Sequence, residues 1–167
     1  MPDPAMRPLR PLLVLVLFLP AMATFSADMV SESSFKAVHE AARTGTRADI
    51  EHLLKANPAQ RDMRSPLGST PLHLAATNSD TGPLQALLAA GADPNARDGE
   101  GATPLHMAAY GTNARAAKLL LEAGADPMAK TNAGRDPTSL ARKVRADEVA
   151  GVISLWLLKG CKPGRPC

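Results

Sequence analysis

Histidine and cysteine are the side chains here that most readily ligate metal or act as a base or nucleophile, and the chain carries four histidines and two cysteines. His39, His73 and His106 share one recurring position, the third residue of Ala37-Val38-His39, Pro71-Leu72-His73 and Pro104-Leu105-His106. Zinc would need to draw such histidines together, because it holds each ligand nitrogen at about 2 Å. Equivalent positions in neighbouring helical units lie about 10 Å apart, the packing distance of helices. The three are therefore not expected to share one ion, and His52 stands alone. There is no nucleophile elbow, phosphate-binding glycine loop, dinucleotide fingerprint or paired-histidine zinc motif. The reading is non-enzymatic, with no catalytic residue, no cofactor and no metal.

Cys161 and Cys167 flank Pro163-Gly164, a turn signal, in a short tail. In an oxidising compartment they are expected to close a small disulfide ring. A redox-active pair and a link to a second chain are the alternatives.

The elements that would position these groups follow from local physics. Thr70 and Thr103 occupy N-cap positions, and Pro71 and Pro104 follow in the first helical turn, where a missing N–H costs nothing. Leu72, Ala75 and Ala76 point inward at helical spacing, and the small alanines let the next helix approach. A second helix is read from Leu84-x-x-Leu87-Leu88 and again from Ala116-x-x-Leu119-Leu120. Gly91 and Gly124 end it, and Asp98-Gly99 marks a turn to the next unit.

These elements repeat. Thr70-Pro71-Leu72-His73 returns as Thr103-Pro104-Leu105-His106, and Gly91-Ala92-Asp93-Pro94 as Gly124-Ala125-Asp126-Pro127, each 33 residues on. Gly68, Gly101 and Gly134 keep the same step. Degenerate copies precede (Ala37 to Ala42) and follow (Asp136 to Ala141). The motif, the period and the Leu-Leu-x-x-Gly-Ala-Asp segments resemble the ankyrin repeat. The resemblance implies an all-α solenoid of stacked helix-turn-helix units with short hairpin connections. Its divisions would be an N-terminal cap repeat at 34–66, repeats at 67–99 and 100–132, a C-terminal cap repeat at 133–159, and a cysteine-containing tail at 160–167. End units of such stacks need polar outer faces. Trp156 either folds over the stack's end or serves as a dimer contact.

The resemblance also implies roles. The repeated histidine would make structural hydrogen bonds between units. Arg64, Arg97 and Lys130, each 33 residues apart, would fall on the hairpin fingers that commonly meet a partner, with Arg135 nearby. They form either a basic binding edge or ordinary solvated turn charge. Tyr110 would end a first helix at a position that often faces the groove, as an interface anchor or as a solvent-facing ring. The implied partner is another protein, with an acidic surface complementary to these cations. A monomer is the favoured state, and a homodimer or inhibitory assembly through the C-terminal unit and cysteine tail is the alternative.

The bulk properties fit. Aromatic residues make up 3% of the chain, and a formal charge of +3 is scattered rather than gathered in the basic stripe of a nucleic-acid binder. Residues 1–23 stand apart. Arg7 and Arg10 precede an unbroken apolar run from Leu12 to Leu19, then Pro20 and Ala21-Met22-Ala23. That order reads as a secretory signal peptide, and the run is shorter than the roughly 20 residues of a spanning helix. The expectation is an exported protein, periplasmic or secreted, cleaved after Ala23 and not membrane-bound afterwards, with residues 24–33 as a disordered linker. Small exported proteins of this kind resemble bacterial ones, some of which are associated with stress tolerance.

Overall fold

The structure, a computed structural model, describes residues 35–162. Among them it contains eight helices, arranged as four consecutive pairs, and no strand. The first pair is α1 (residues 35–44) and α2 (Arg47–Ala56), followed by a short 3-10 turn at Pro58–Asp62. The next three are α3 (Pro71–Ala75) with α4 (Gly82–Ala89), α5 (Pro104–Tyr110) with α6 (Ala114–Glu122), and α7 (Pro137–Lys143) with α8 (Asp147–Leu158). Within each of the last three pairs the helices pack on each other, and α3, α5 and α7 stack in sequence; α2 packs on α4 and α6 on α8.

The helices start where the N-cap chemistry dictates. Thr70, Thr103 and Asp136 cap α3, α5 and α7 in extended conformation, and each is followed by proline at the first helical position. The short first helices bury Leu72, Ala75 and Ala76, then Leu105, Ala108 and Ala109. Second helices contribute Leu84 and Leu87, Leu120 and Leu121, and Val149 and Ile153. No single pair closes a core, so burial depends on the neighbouring pair.

The C-terminal pair settles the position of Trp156. It is 7% exposed and belongs to the apolar core, so it covers the stack and is not available as a dimer contact. Gly160, at φ +63°, ends α8, and the Cys161 N–H donates back to the Trp156 carbonyl at 3.2 Å. Residues 1–34 and 163–167, which include the signal-peptide, linker and Cys167 assignments, lie outside the described residues.

Candidate functional site

The connections between pairs are built from one repeated turn. The Ser65 N–H donates to the Ser69 carbonyl, Asp98 to Ala102 and Thr131 to Arg135, at 2.8, 2.9 and 2.9 Å. Gly68, Gly101 and Gly134 close these turns at φ +78°, +72° and +73°, a region costly for any residue with a Cβ. Successive fingers then join through the backbone: the Gly99 N–H donates to Leu67 O and the Asn132 N–H to Glu100 O, both at 2.9 Å. They pack so closely that a Cβ on Gly101 would lie 2.5 Å from Asn132 Oδ1.

The repeated histidines tie the helices to these fingers. The Thr70 backbone N–H donates to His73 Nδ1 at 3.1 Å, and the Thr70 hydroxyl lies 2.9 Å from the same nitrogen. Thr103 and His106 repeat this at 3.1 and 3.0 Å. Nδ1 accepts a backbone N–H, so the ring proton must sit on Nε2, and Nε2 faces a carbonyl of the next finger: Ala102 O at 3.1 Å for His73 and Arg135 O at 3.0 Å for His106. This is a capping box closed by histidine instead of glutamate, which leaves the ring's far side free to bridge units. Burial pushes both imidazoles below their ordinary range, against the opposing pull of those carbonyls. His39 contacts Ser69 O through Nε2 at 3.1 Å, but its Nδ1 faces Phe35 O at 2.9 Å. In the fourth unit Ser139 stands in place of histidine, with no described finger beyond it to reach. There Asp136 caps the Ser139 N–H at 2.8 Å, and that bond holds its carboxyl below the usual range.

The cations of the fingers are exposed and successive. Arg64 Nη1 donates to its own finger at Gly68 O, 2.8 Å, and to the next at Arg97 O, 2.7 Å. Arg97 in turn donates to Lys130 O. Arg64 and Arg97 are thus tied to the edge while remaining exposed, and each guanidinium keeps unused donors. Among the described residues no carboxylate forms an ion pair with Arg64, Arg97, Lys130 or Arg135; the ion pairs present lie elsewhere, such as Arg43–Glu40 and Arg47–Glu51. Tyr110 is 64% exposed but ends α5, whereas the finger meets the start of that helix at Thr103. Roughly 10 Å of helix separates them, so Tyr110 and the cations are not one cluster.

A family model described as Ankyrin repeats (3 copies) matches residues 37–131, more than half of the chain. The chain belongs to the ankyrin-repeat family. Its fold is accordingly an ankyrin solenoid, the architecture of a protein–protein interaction module. The match ends before α7 and α8, yet these continue the same helix-turn-helix stacking. Comparison with curated proteins returns no match. Among the described residues no three His, Cys, Asp or Glu side chains gather closely enough to hold a metal ion, and no helix is long and apolar enough to cross a membrane.

Several contacts between units were not drawn from the sequence. Asn78 Nδ2 donates to Ala42 O and Gly45 O at 3.3 and 3.2 Å, and Asn113 Nδ2 donates to Asn78 O at 2.6 Å. Asn95 bridges to Gly124 O and Asp126 N at 2.9 and 2.8 Å. The two loop asparagines lie 35 residues apart, out of step with the 33-residue period, which is why self-comparison passes over them. Asp93 and Asp126 form turns, each accepting the N–H two residues on at 2.8 Å.

Proposed function

We propose that this ankyrin stack is an exported, non-catalytic binding protein whose finger edge, carrying Arg64, Arg97, Lys130 and Arg135, docks an acidic surface of a partner protein in the periplasm. The observation that carries this reading is the row of exposed cations, in successive fingers, with no carboxylate pairing them among the described residues. Two of them are held by bonds to the following finger, which lowers the entropy lost when a partner is engaged. Support of a stress response, or of a partner enzyme, is the biological role that the resemblance to exported bacterial ankyrin proteins favours.

Residues 1–23 act as the signal peptide in this proposal, 34–159 carry the four units, and Cys161 pairs with Cys167 in the exported tail. Intact mass and N-terminal sequencing of the exported protein test the first assignment: the mature chain begins at Thr24, and a species retaining Leu12 to Leu19 would instead mean a membrane anchor.

Binding is tested with Arg64→Gln, Arg97→Gln and Lys130→Gln together. Glutamine removes the charge and keeps a polar side chain at each of these exposed positions, where substitutions cost little stability, so the fold is retained. Capture from a periplasmic extract should lose its partner with this variant. It should keep it when three exposed cations of the second helices, Lys55, Arg115 and Lys118, are changed in the same way. Equal capture by both variants would rule out the basic edge and move the search to Tyr110 and the first helices.

A further inference from the structure

The outward side of α8, past its acidic first turn, differs from that of α6. Glu51, Gln85 and Lys118 occupy one equivalent position in α2, α4 and α6; the residue 33 beyond Lys118 is Gly151. The residue 33 beyond Glu122 is Leu155. In α6 those two positions are occupied by an ion pair, Lys118 Nζ to Glu122 Oε1 at 4.0 Å. In α8 they are a glycine and a leucine, and Leu158 lies three residues further on the same face. Leu155 is 51% exposed and Leu158 84% exposed, while the opposite side of the helix buries Val149, Ala150 and Ile153. Past its first turn α8 is thus apolar on its open side as well as on its buried one, the pattern of a helix covered on both.

Gly151 sharpens the point. A mid-helix glycine is less stable than alanine by about 1 kcal/mol. Among the described residues nothing calls for it: its φ is not positive, and a Cβ built there would meet no atom within 4 Å. A glycine at the centre of an open apolar face does serve one purpose, which is to let another helix come close.

The charges at the ends of the face identify that helix. Asp147 and Glu148 begin α8, and Lys159 and Lys162 follow its end, all exposed. Among the described residues neither Glu148 nor Lys159 has an ion-pair partner in its own chain. In an antiparallel pairing of α8 with a second α8 about a twofold axis, Leu155 of each copy falls over Gly151 of the other. The same register brings Glu148 beside the other copy's Lys159, because both pairs are centred on nearly the same point of the helix. The two macrodipoles also oppose. The face is self-complementary in shape and charge, as a twofold interface requires. We propose that α8 pairs antiparallel with α8 of a second copy of this chain, forming a homodimer whose finger edges remain free. This seam replaces the Trp156 contact, which burial rules out, and it displaces the monomer expected from the sequence. One helix pair covers little area, so association is weak and concentration-dependent.

Sedimentation equilibrium of the protein, as it accumulates after expression of the whole chain, tests this over a wide concentration range. The wild type should move from monomer to dimer, and denaturing mass analysis should show only the single-chain mass, which excludes a disulfide-linked pair. Leu155→Glu should stay monomeric with an unchanged helix signal and melting curve, since Leu155 is exposed. Glu148→Lys and Lys159→Glu should each weaken the dimer, and the two together should restore it, an outcome that only the antiparallel register predicts. A wild type monomeric at every soluble concentration, a dimer untouched by Leu155→Glu, or a double exchange that fails to restore pairing would each overturn the proposal. So would a wild type that stays monomeric but binds vesicles through Leu155.

Discussion

At the scale of single residues, the histidines illustrate how a group suited to metal chemistry becomes a structural bolt. His73 and His106 are buried, their Nδ1 atoms accept a backbone N–H, and their Nε2 atoms face the next finger. Such a ring has no room for a second proton without losing the Thr70 or Thr103 bond. Burial, their main perturbation, depresses both pKa values below the ordinary 6.5. The unfolded chain therefore takes up protons first as pH falls. The stability these residues contribute is fully present above about pH 6.5 and is lost below it, down to the folded-state values. Thermal melting should thus fall between about pH 7.5 and about pH 5, a window above the range where Glu40, Asp49 and Asp136, with lowered pKa values, begin to protonate. The double variant His73→Gln, His106→Gln should start less stable but show a flatter pH dependence. A slope as steep as the wild type's would place the acid sensitivity elsewhere. The recurring spacing of these histidines was plain in the sequence. What each Nε2 proton meets was not, because it is a carbonyl 29 residues away.

At the scale of elements, the hairpin fingers carry much of the cohesion between pairs. Gly101 and Gly134 share a sequence position and a positive φ, but their surroundings differ. A Cβ at Gly101 would collide with Asn132 of the following finger, whereas at Gly134 it would meet nothing within 4 Å. Gly134→Ala should therefore cost only the backbone penalty, about 1–2 kcal/mol. Gly101→Ala should cost clearly more, because it also pushes two fingers apart. Chemical denaturation of the two variants measures this, and equal losses would mean the fingers are not closely stacked. Helix starts and inward-facing leucines and alanines were legible because capping and helical spacing are local rules. Arg64 and Arg97 show where that legibility stops. Their 33-residue step marked one edge, but their bonds to carbonyls of the next finger arise only when units stack.

At the scale of the whole molecule, the four pairs form a stack whose two outer faces have separate uses in this account. The fingers present a pre-ordered basic row, and α8 presents an apolar, self-complementary face. Trp156 shows why the second face was hidden in the sequence. The tryptophan reads from the sequence as either a cover on the stack's end or a dimer contact; it is buried, and its neighbours Leu155 and Leu158 are the open ones. Helical phase at the end of a stack can be assigned only once the preceding pair is in place. A dimer through α8 would present two finger edges, so that a partner bearing two acidic sites would bind with an avidity neither edge has alone.

The central claim, that the fingers bind by charge, is tested most directly by the salt dependence of the association rate with a captured partner. Charge complementarity acts chiefly on the encounter rate, and salt screens it. The wild-type rate should fall steeply as salt is raised. The Arg64→Gln, Arg97→Gln, Lys130→Gln protein should associate more slowly at low salt and show a nearly flat dependence, with its melting temperature close to the wild type's. Equal rates and equal salt slopes for the two folded proteins would contradict the account.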